Sequence, residues 1–129
     1  MAKYGLWEFG EGTGKYSPAT STGTRKENDI LAVAVRKAEK VYGDKIFQRK
    51  IHGGGYQRSG LPDVYVAIAG TTLWVEFKRP GADTTALQKK TLEDLKRLGI
   101  YCGTAESTKT YLEILQTVVE TEQRRKWLK

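Results

Sequence analysis

The chain has 129 residues, 39% hydrophobic and 29% charged, a balance that excludes a disordered polymer and fits one globular core. No apolar run approaches the ~18 residues a membrane span needs, and residues 1–14 lack the continuous apolar core of a secretory signal, so a cytoplasmic protein without a membrane partner is expected. The lone cysteine, Cys102, excludes an intramolecular disulfide and a cysteine-cluster zinc site, while 22 Lys+Arg against 15 Asp+Glu leave a net charge of +7 that favours a polyanionic partner, nucleic acid before a membrane surface.

Residues 1–24 form an N-terminal arm in which Gly5, Gly10, Gly12, Gly14 and Gly23 are interleaved with Tyr4, Trp7, Phe9 and Tyr16. Such rings can pack on the domain, on a second subunit or on nucleobases. Gly14-Lys15 does not complete a phosphate loop, because Phe9 stands where the first glycine belongs and Tyr16 replaces the hydroxyl residue. From Arg25 to Tyr42, Ile30, Leu31, Ala34, Val35, Ala38 and Val41 recur at helical spacing, with Thr24 and Glu27 as a capping box. Lys45 to Ile51 reads as a strand, His52 and Gly53 to Gly55 break it, and Tyr56 to Pro62 is loop. Val64–Ala69 and Thr72–Lys78 are apolar runs of strand length joined at Gly70-Thr71, a tight antiparallel hairpin. Pro80-Gly81 ends the second run.

A helix follows from Ala86 to Leu98, with Leu87, Leu92, Leu95 and Leu98 at helical spacing, a capping box formed by Thr85 and Gln88, and Gly99 as the terminal glycine. Ile100–Ala105 reads as a short strand carrying Cys102 as a small buried residue. Thr108–Trp127 reads as a last helix, with Leu112, Leu115, Val118 and Val119 inward and the basic run Arg124-Arg125-Lys126 at its end. The order αβββαβα predicts an α/β domain over residues 25–129, a central mixed sheet flanked by helices.

The hairpin carries the chemistry. With Ala69 opposite Thr72, Asp63 faces Lys78 and Tyr65 faces Glu76, and side-chain alternation puts Glu76 and Lys78 on one face. Two carboxylates close together repel unless a cation bridges them, and hard oxygen ligands suit Mg²⁺ or Mn²⁺. Such an ion polarises a phosphodiester and lowers the pKa of a bound water, and a nearby lysine stabilises charge on the phosphate. The Phe77 carbonyl is a further candidate ligand. The same residues also fit a cross-strand ion pair on the hairpin surface. Arg49, Lys50, Arg58, Arg79, Lys89 and Lys90 surround these elements as a phosphate-binding face would require, and His52 can contact phosphate or serve the turn.

Pro62-Asp63, then Glu76-Phe77-Lys78 after twelve intervening residues, resembles the PD-(D/E)XK nuclease signature. The wider context of His52-Gly53-Gly54, Gly60-Leu61-Pro62-Asp63, Val75-Glu76-Phe77-Lys78 and Ala86-Leu87-Gln88 resembles the VRR-NUC (virus-type replication-repair nuclease) branch, with stand-alone members typical of bacteriophages. The resemblance covers roughly residues 25–105. It implies a restriction-endonuclease-like core and a Mg²⁺- or Mn²⁺-dependent endonuclease in which Asp63 and Glu76 ligate metal and Lys78 is catalytic. It further implies a glutamate early in the first helix, matched by Glu27 ahead of Glu39, and a glutamine near the metal, matched by Gln88. A bacterial or phage-infected cytoplasm is the expected setting. The expected substrate is branched, Holliday-type DNA cut by a homodimer, since two symmetric cuts need two sites related by a two-fold axis. A sequence-specific restriction-type nuclease and a non-catalytic nucleic-acid-binding module are the alternatives.

Overall fold

A computed structural model describes residues 23–51 and 60–128, with side chains over 28–51 and 60–127. The elements are α1 (Gly23–Tyr42), a 3-10 turn (Gly43–Lys45), β1 (Ile46–Lys50), β2 (Val64–Ile68), β3 (Thr71–Phe77), α2 (Ala86–Arg97), β4 (Tyr101–Ala105) and α3 (Thr108–Leu128). The sheet order is β1-β2-β3-β4. The first three strands are antiparallel, and β4 joins β3 in parallel. A parallel neighbour requires a crossover, which α2 supplies. The mixed sheet flanked by helices is the predicted fold class. No helix among the described residues is long and apolar enough to cross a membrane.

Alternation along the strands sorts the two faces of the sheet. Ile46, Val64, Val66, Ile68, Leu73, Val75 and Phe77 are buried with Leu31, Ala34, Val35 and Ala38 of α1 and Tyr111, Leu115 and Val118 of α3. Gln48 occupies that apolar face, fully buried. Its Nε2 donates to the Val35 carbonyl at 3.2 Å and its Oε1 accepts the Tyr111 hydroxyl at 2.6 Å. One amide thus ties β1 to both helices, and its pairing offsets the cost of burying it. On the other face, α2 packs against β4.

The hairpin differs from its predicted register. The turn is Ala69-Gly70, with φ of 55° and 80°, so Ile68 opposes Thr71 and Val64 opposes Val75. Two successive positive φ angles give a turn whose twist matches that of the strands. The slip relative to the predicted pairing is two residues, an even number, so no side chain changes face. The partners do change. Tyr65 faces Trp74 rather than Glu76, and carrying the register one residue on puts Asp63 across from Glu76 rather than Lys78.

Smaller corrections follow from packing. α1 begins at Gly23, before the predicted cap Thr24, and the side chains of Thr24 and Glu27 lie outside the described residues. Val41, predicted inward, is 56% exposed, and Leu87 and Leu98 of the predicted α2 stripe are 51% and 64% exposed. α2 packs against β4, and only the middle of its stripe, Leu92 and Leu95, is half-buried. Cys102 is half-buried rather than buried, with Sγ 3.5 Å from the Leu92 carbonyl, and burial pushes its thiol pKa up.

Candidate active site

The β2–β3 hairpin opens toward Pro62 and Lys78. The Ile51 N–H donates to the Asp63 carbonyl at 2.8 Å, extending the β1–β2 pairing past the end of β2. Asp63 Oδ2 accepts the Phe77 N–H at 2.8 Å, which fixes the carboxylate against the end of β3. The Lys78 N–H donates to the Ala105 carbonyl at 3.0 Å, so the β3–β4 ladder runs through the lysine and holds its backbone. Glu76 and Lys78 emerge on the face away from α1 and α3, with the Lys78 Nζ 3.4 Å from Glu76 Oε2.

The helix after β3 reaches back to the same carboxylate. Thr85 caps α2 by accepting the Gln88 N–H at 3.1 Å, and Gln88 Oε1 accepts the Thr85 N–H at 3.0 Å. That capping box uses only the amide oxygen of Gln88. Its Nε2 is left to donate to Glu76 Oε2 at 2.6 Å. Capping and contact with the carboxylate therefore coexist in one side chain. Gly60 makes room for this junction. Its φ is +92°, and a Cβ there would lie 2.8 Å from Leu87 Cγ and 3.2 Å from the Leu87 carbonyl oxygen.

The Glu76–Lys78 pair is not a surface cross-strand bridge. It runs along one strand, and the two side chains are 3% and 11% exposed. A buried ion pair costs several kcal/mol to desolvate and is a weak source of stability. Charges retained in such a place point to chemistry more than to folding. The donor set is two carboxylates from facing strands, hard oxygen ligands of the type that suits a small divalent cation. Among the described residues, no three His, Cys, Asp or Glu side chains gather as a metal-binding cluster. Asp63 and Glu76 supply two of the predicted donors. Glu27, the predicted third, lies near the start of α1 with its side chain outside the described residues.

The other predicted residues are spread more widely. Phe77 is buried between the pair, with its N–H held by Asp63. Arg49 and Lys50 lie on β1, and the Arg49 guanidinium carbon is 5.0 Å from the centroid of the Phe47 ring. Arg79 follows Lys78 and is exposed, as is Lys89 on α2. Lys90 is engaged elsewhere, 3.1 Å from Asp94, whose pKa is lowered by hydrogen bonds from Arg97 and Lys90. His52 and Arg58 lie outside the described residues, and Glu39 is half-buried farther along α1. Trp74, which the sequence motif does not include, lies two residues before Glu76 and on the same face of β3.

No protein-family model and no curated protein matches the sequence. Solved structures do match. One described as a VRR_NUC domain is 24% identical with a TM-score of 0.58, over 70% of this chain and 95% of the other. A second, a VRR_NUC domain protein, is 21% identical with a TM-score of 0.57, over 70% of this chain and 84% of the other. Lys78 and Gln88 therefore meet at Glu76, with Asp63 held on the neighbouring Phe77 N–H, on a chain that has the fold of the VRR_NUC domain.

Proposed function

We propose that the protein is a Mg²⁺- or Mn²⁺-dependent DNA endonuclease that hydrolyses phosphodiester bonds at branched, Holliday-type junctions as a homodimer. The observation that carries the reading is the buried Glu76 held by Lys78 and Gln88 beside Asp63, in a VRR_NUC fold. Asp63 and Glu76, with Glu27 and the Phe77 carbonyl, would hold the metal. When bound, such an ion polarises the phosphodiester and makes a bound water more acidic. The protein's own contribution is positional. Asp63 is pinned by the Phe77 N–H and Glu76 by the Gln88 amide, so neither carboxylate must reorganise. Lys78, on the same face two residues on, orients the attacking water and stabilises charge that develops on the phosphate. Arg49, Lys50, His52, Arg58, Arg79 and Lys89 would hold the DNA backbone. Lys90 would join them by leaving Asp94. Two copies related by a two-fold axis would place one site on each of two strands of a junction.

The test compares end-labelled four-way junctions with linear duplexes of the same sequences, in Mg²⁺, Mn²⁺ or chelator. Junction cleavage that needs metal is expected, at least ~100-fold reduced in Lys78→Ala with DNA affinity retained. Wild-type cleavage by Glu76→Ala would remove this site from the reaction. Equal rates on junction and linear duplex would remove the branched-DNA preference. Sedimentation of the DNA-free protein reads the oligomeric state.

A further inference from the structure

The sheet face that carries Glu76 and Lys78 has a second feature that the cleavage chemistry does not use. Phe47, Tyr65 and Trp74 lie on this face, on β1, β2 and β3 respectively, and all three are half-buried, whereas Gln48, Val64, Val66, Leu73 and Val75 on the opposite face are buried. The register makes a row of them. Arg49 is directly across from Tyr65, and Tyr65 is directly across from Trp74. The Tyr65 and Trp74 rings meet edge-to-face with centroids 5.1 Å apart, and the Phe47 and Tyr65 rings do so at 6.4 Å. The Arg49 guanidinium lies over Phe47 at 5.0 Å and is exposed. α2 packs on β4, at the far side of this face.

We propose that this row is a stacking platform for an unpaired nucleotide of the DNA, next to the phosphate that the protein cuts. The inference rests on the nuclease reading and narrows its substrate class. Three arguments support it. Continuity is the first: Trp74 and Glu76 are two residues apart on one strand, about 7 Å, on the same face. Charge is the second, since Arg49 lies in the row and the chain carries +7. A polyanion fits that surround, and a guanidinium stacks on bases as it does on aromatic rings. The third is ring orientation. In an edge-to-face pair the ring that offers its edge keeps both of its faces clear of its partner, and any base can stack on an aromatic face whatever its sequence. Bases in an intact duplex are already stacked, so the platform selects DNA with unpaired nucleotides, as at branch points, flaps and frayed ends.

The sequence holds three tryptophans, so a Trp7→Phe, Trp127→Phe double variant leaves Trp74 as the only one. This protein is titrated with oligothymidylate of roughly eight nucleotides, within the ~4–16 nucleotide range of single-strand sites, in chelator so that no cleavage intervenes. Saturable quenching of Trp74 emission is expected, coincident with a rise in anisotropy of labelled oligonucleotide. Trp74→Ala should weaken oligothymidylate binding by about fivefold or more, Trp74→Phe should retain it, and blunt duplex binding should be unchanged. Oligonucleotide binding without quenching overturns the platform, as does undiminished affinity in a folded Trp74→Ala protein. Trp74 emission that depends on protein concentration without DNA also overturns it, because a second copy then covers the face. Metal-dependent cleavage without quenching leaves the nuclease reading standing alone. Quenching in a protein that cuts no DNA with Mg²⁺ or Mn²⁺ does the reverse.

Discussion

Gln88 and Gln48 carry the same functional group and do different work. Gln48 closes a buried circuit with Val35 and Tyr111, on the sheet face away from Glu76 and Lys78. Removing the Tyr111 hydroxyl by Tyr111→Phe leaves the Gln48 oxygen buried without its donor, and should cost ~1–3 kcal/mol by chemical denaturation. Burial pushes the Tyr111 phenol pKa far above its ordinary value. Its contribution to stability is therefore full below the unfolded phenol pKa of ~10 and is lost progressively as pH rises above it. Wild-type stability should fall above that pH more steeply than Tyr111→Phe stability. Gln88 instead divides its amide between Thr85 and Glu76. Thr85→Ala should cost ~1 kcal/mol of stability and leave DNA cleavage near the wild-type rate. Gln88→Leu should lower both stability and cleavage, because Glu76 loses the donor that orients it. Equal cleavage by the two variants would reduce Gln88 to a cap.

At the scale of elements, the hairpin turn governs how the site assembles. Ala69 has φ 55°, a conformation that costs an L-residue with a Cβ roughly 1–2 kcal/mol and that asparagine tolerates better. Ala69→Asn should raise stability by ~0.5–1 kcal/mol in thermal or denaturant unfolding, with no effect on cleavage. Much of this element is legible in the sequence. Two apolar runs around a glycine predicted a hairpin, and alternation alone put Glu76 and Lys78 together. The turn position was not legible, because Gly70-Thr71 and Ala69-Gly70 both contain a glycine and propensity favours the first. The left-handed alanine is tolerated because the two-residue turn it makes matches the twist of the strands it joins. The same limit applies to β1. Hydrophobicity alone would bury Phe47 and expose Gln48. The structure buries Gln48 fully and leaves Phe47 half-buried, since Ile46 and Gln48 share parity and α1 and α3 cover that side.

At the scale of the molecule, the carboxylates Asp63 and Glu76 sit within a basic chain. A divalent cation that binds the folded site but not the unfolded chain should raise the melting temperature, by the equivalent of ~2.7 kcal/mol when its concentration is 100 times its Kd. Glu76→Gln and Asp63→Asn should abolish the Mg²⁺-dependent shift; its survival in either would exclude that carboxylate from metal binding. The positive surround has its own signature. Log affinity for DNA should fall linearly with log salt at a slope near −0.9 per phosphate neutralised in duplex, and Arg79→Ala and Lys89→Ala should each flatten it by about one such step.

The amino-acid sequence by itself determined the order of elements and the shared face of Glu76 and Lys78. These follow from periodicity and turn chemistry, which are local. It also holds the spacing of Asp63, Glu76 and Lys78 that resembles the VRR-NUC signature. Only the tertiary structure decided that Asp63 is fixed by the Phe77 N–H, that Gln88 returns across the crossover to Glu76, and that Phe47, Tyr65 and Trp74 form a row beside them. Each of those joins residues on different elements, and their distance depends on strand register and helix placement. Those are settled by burial over the whole sheet rather than by any one segment.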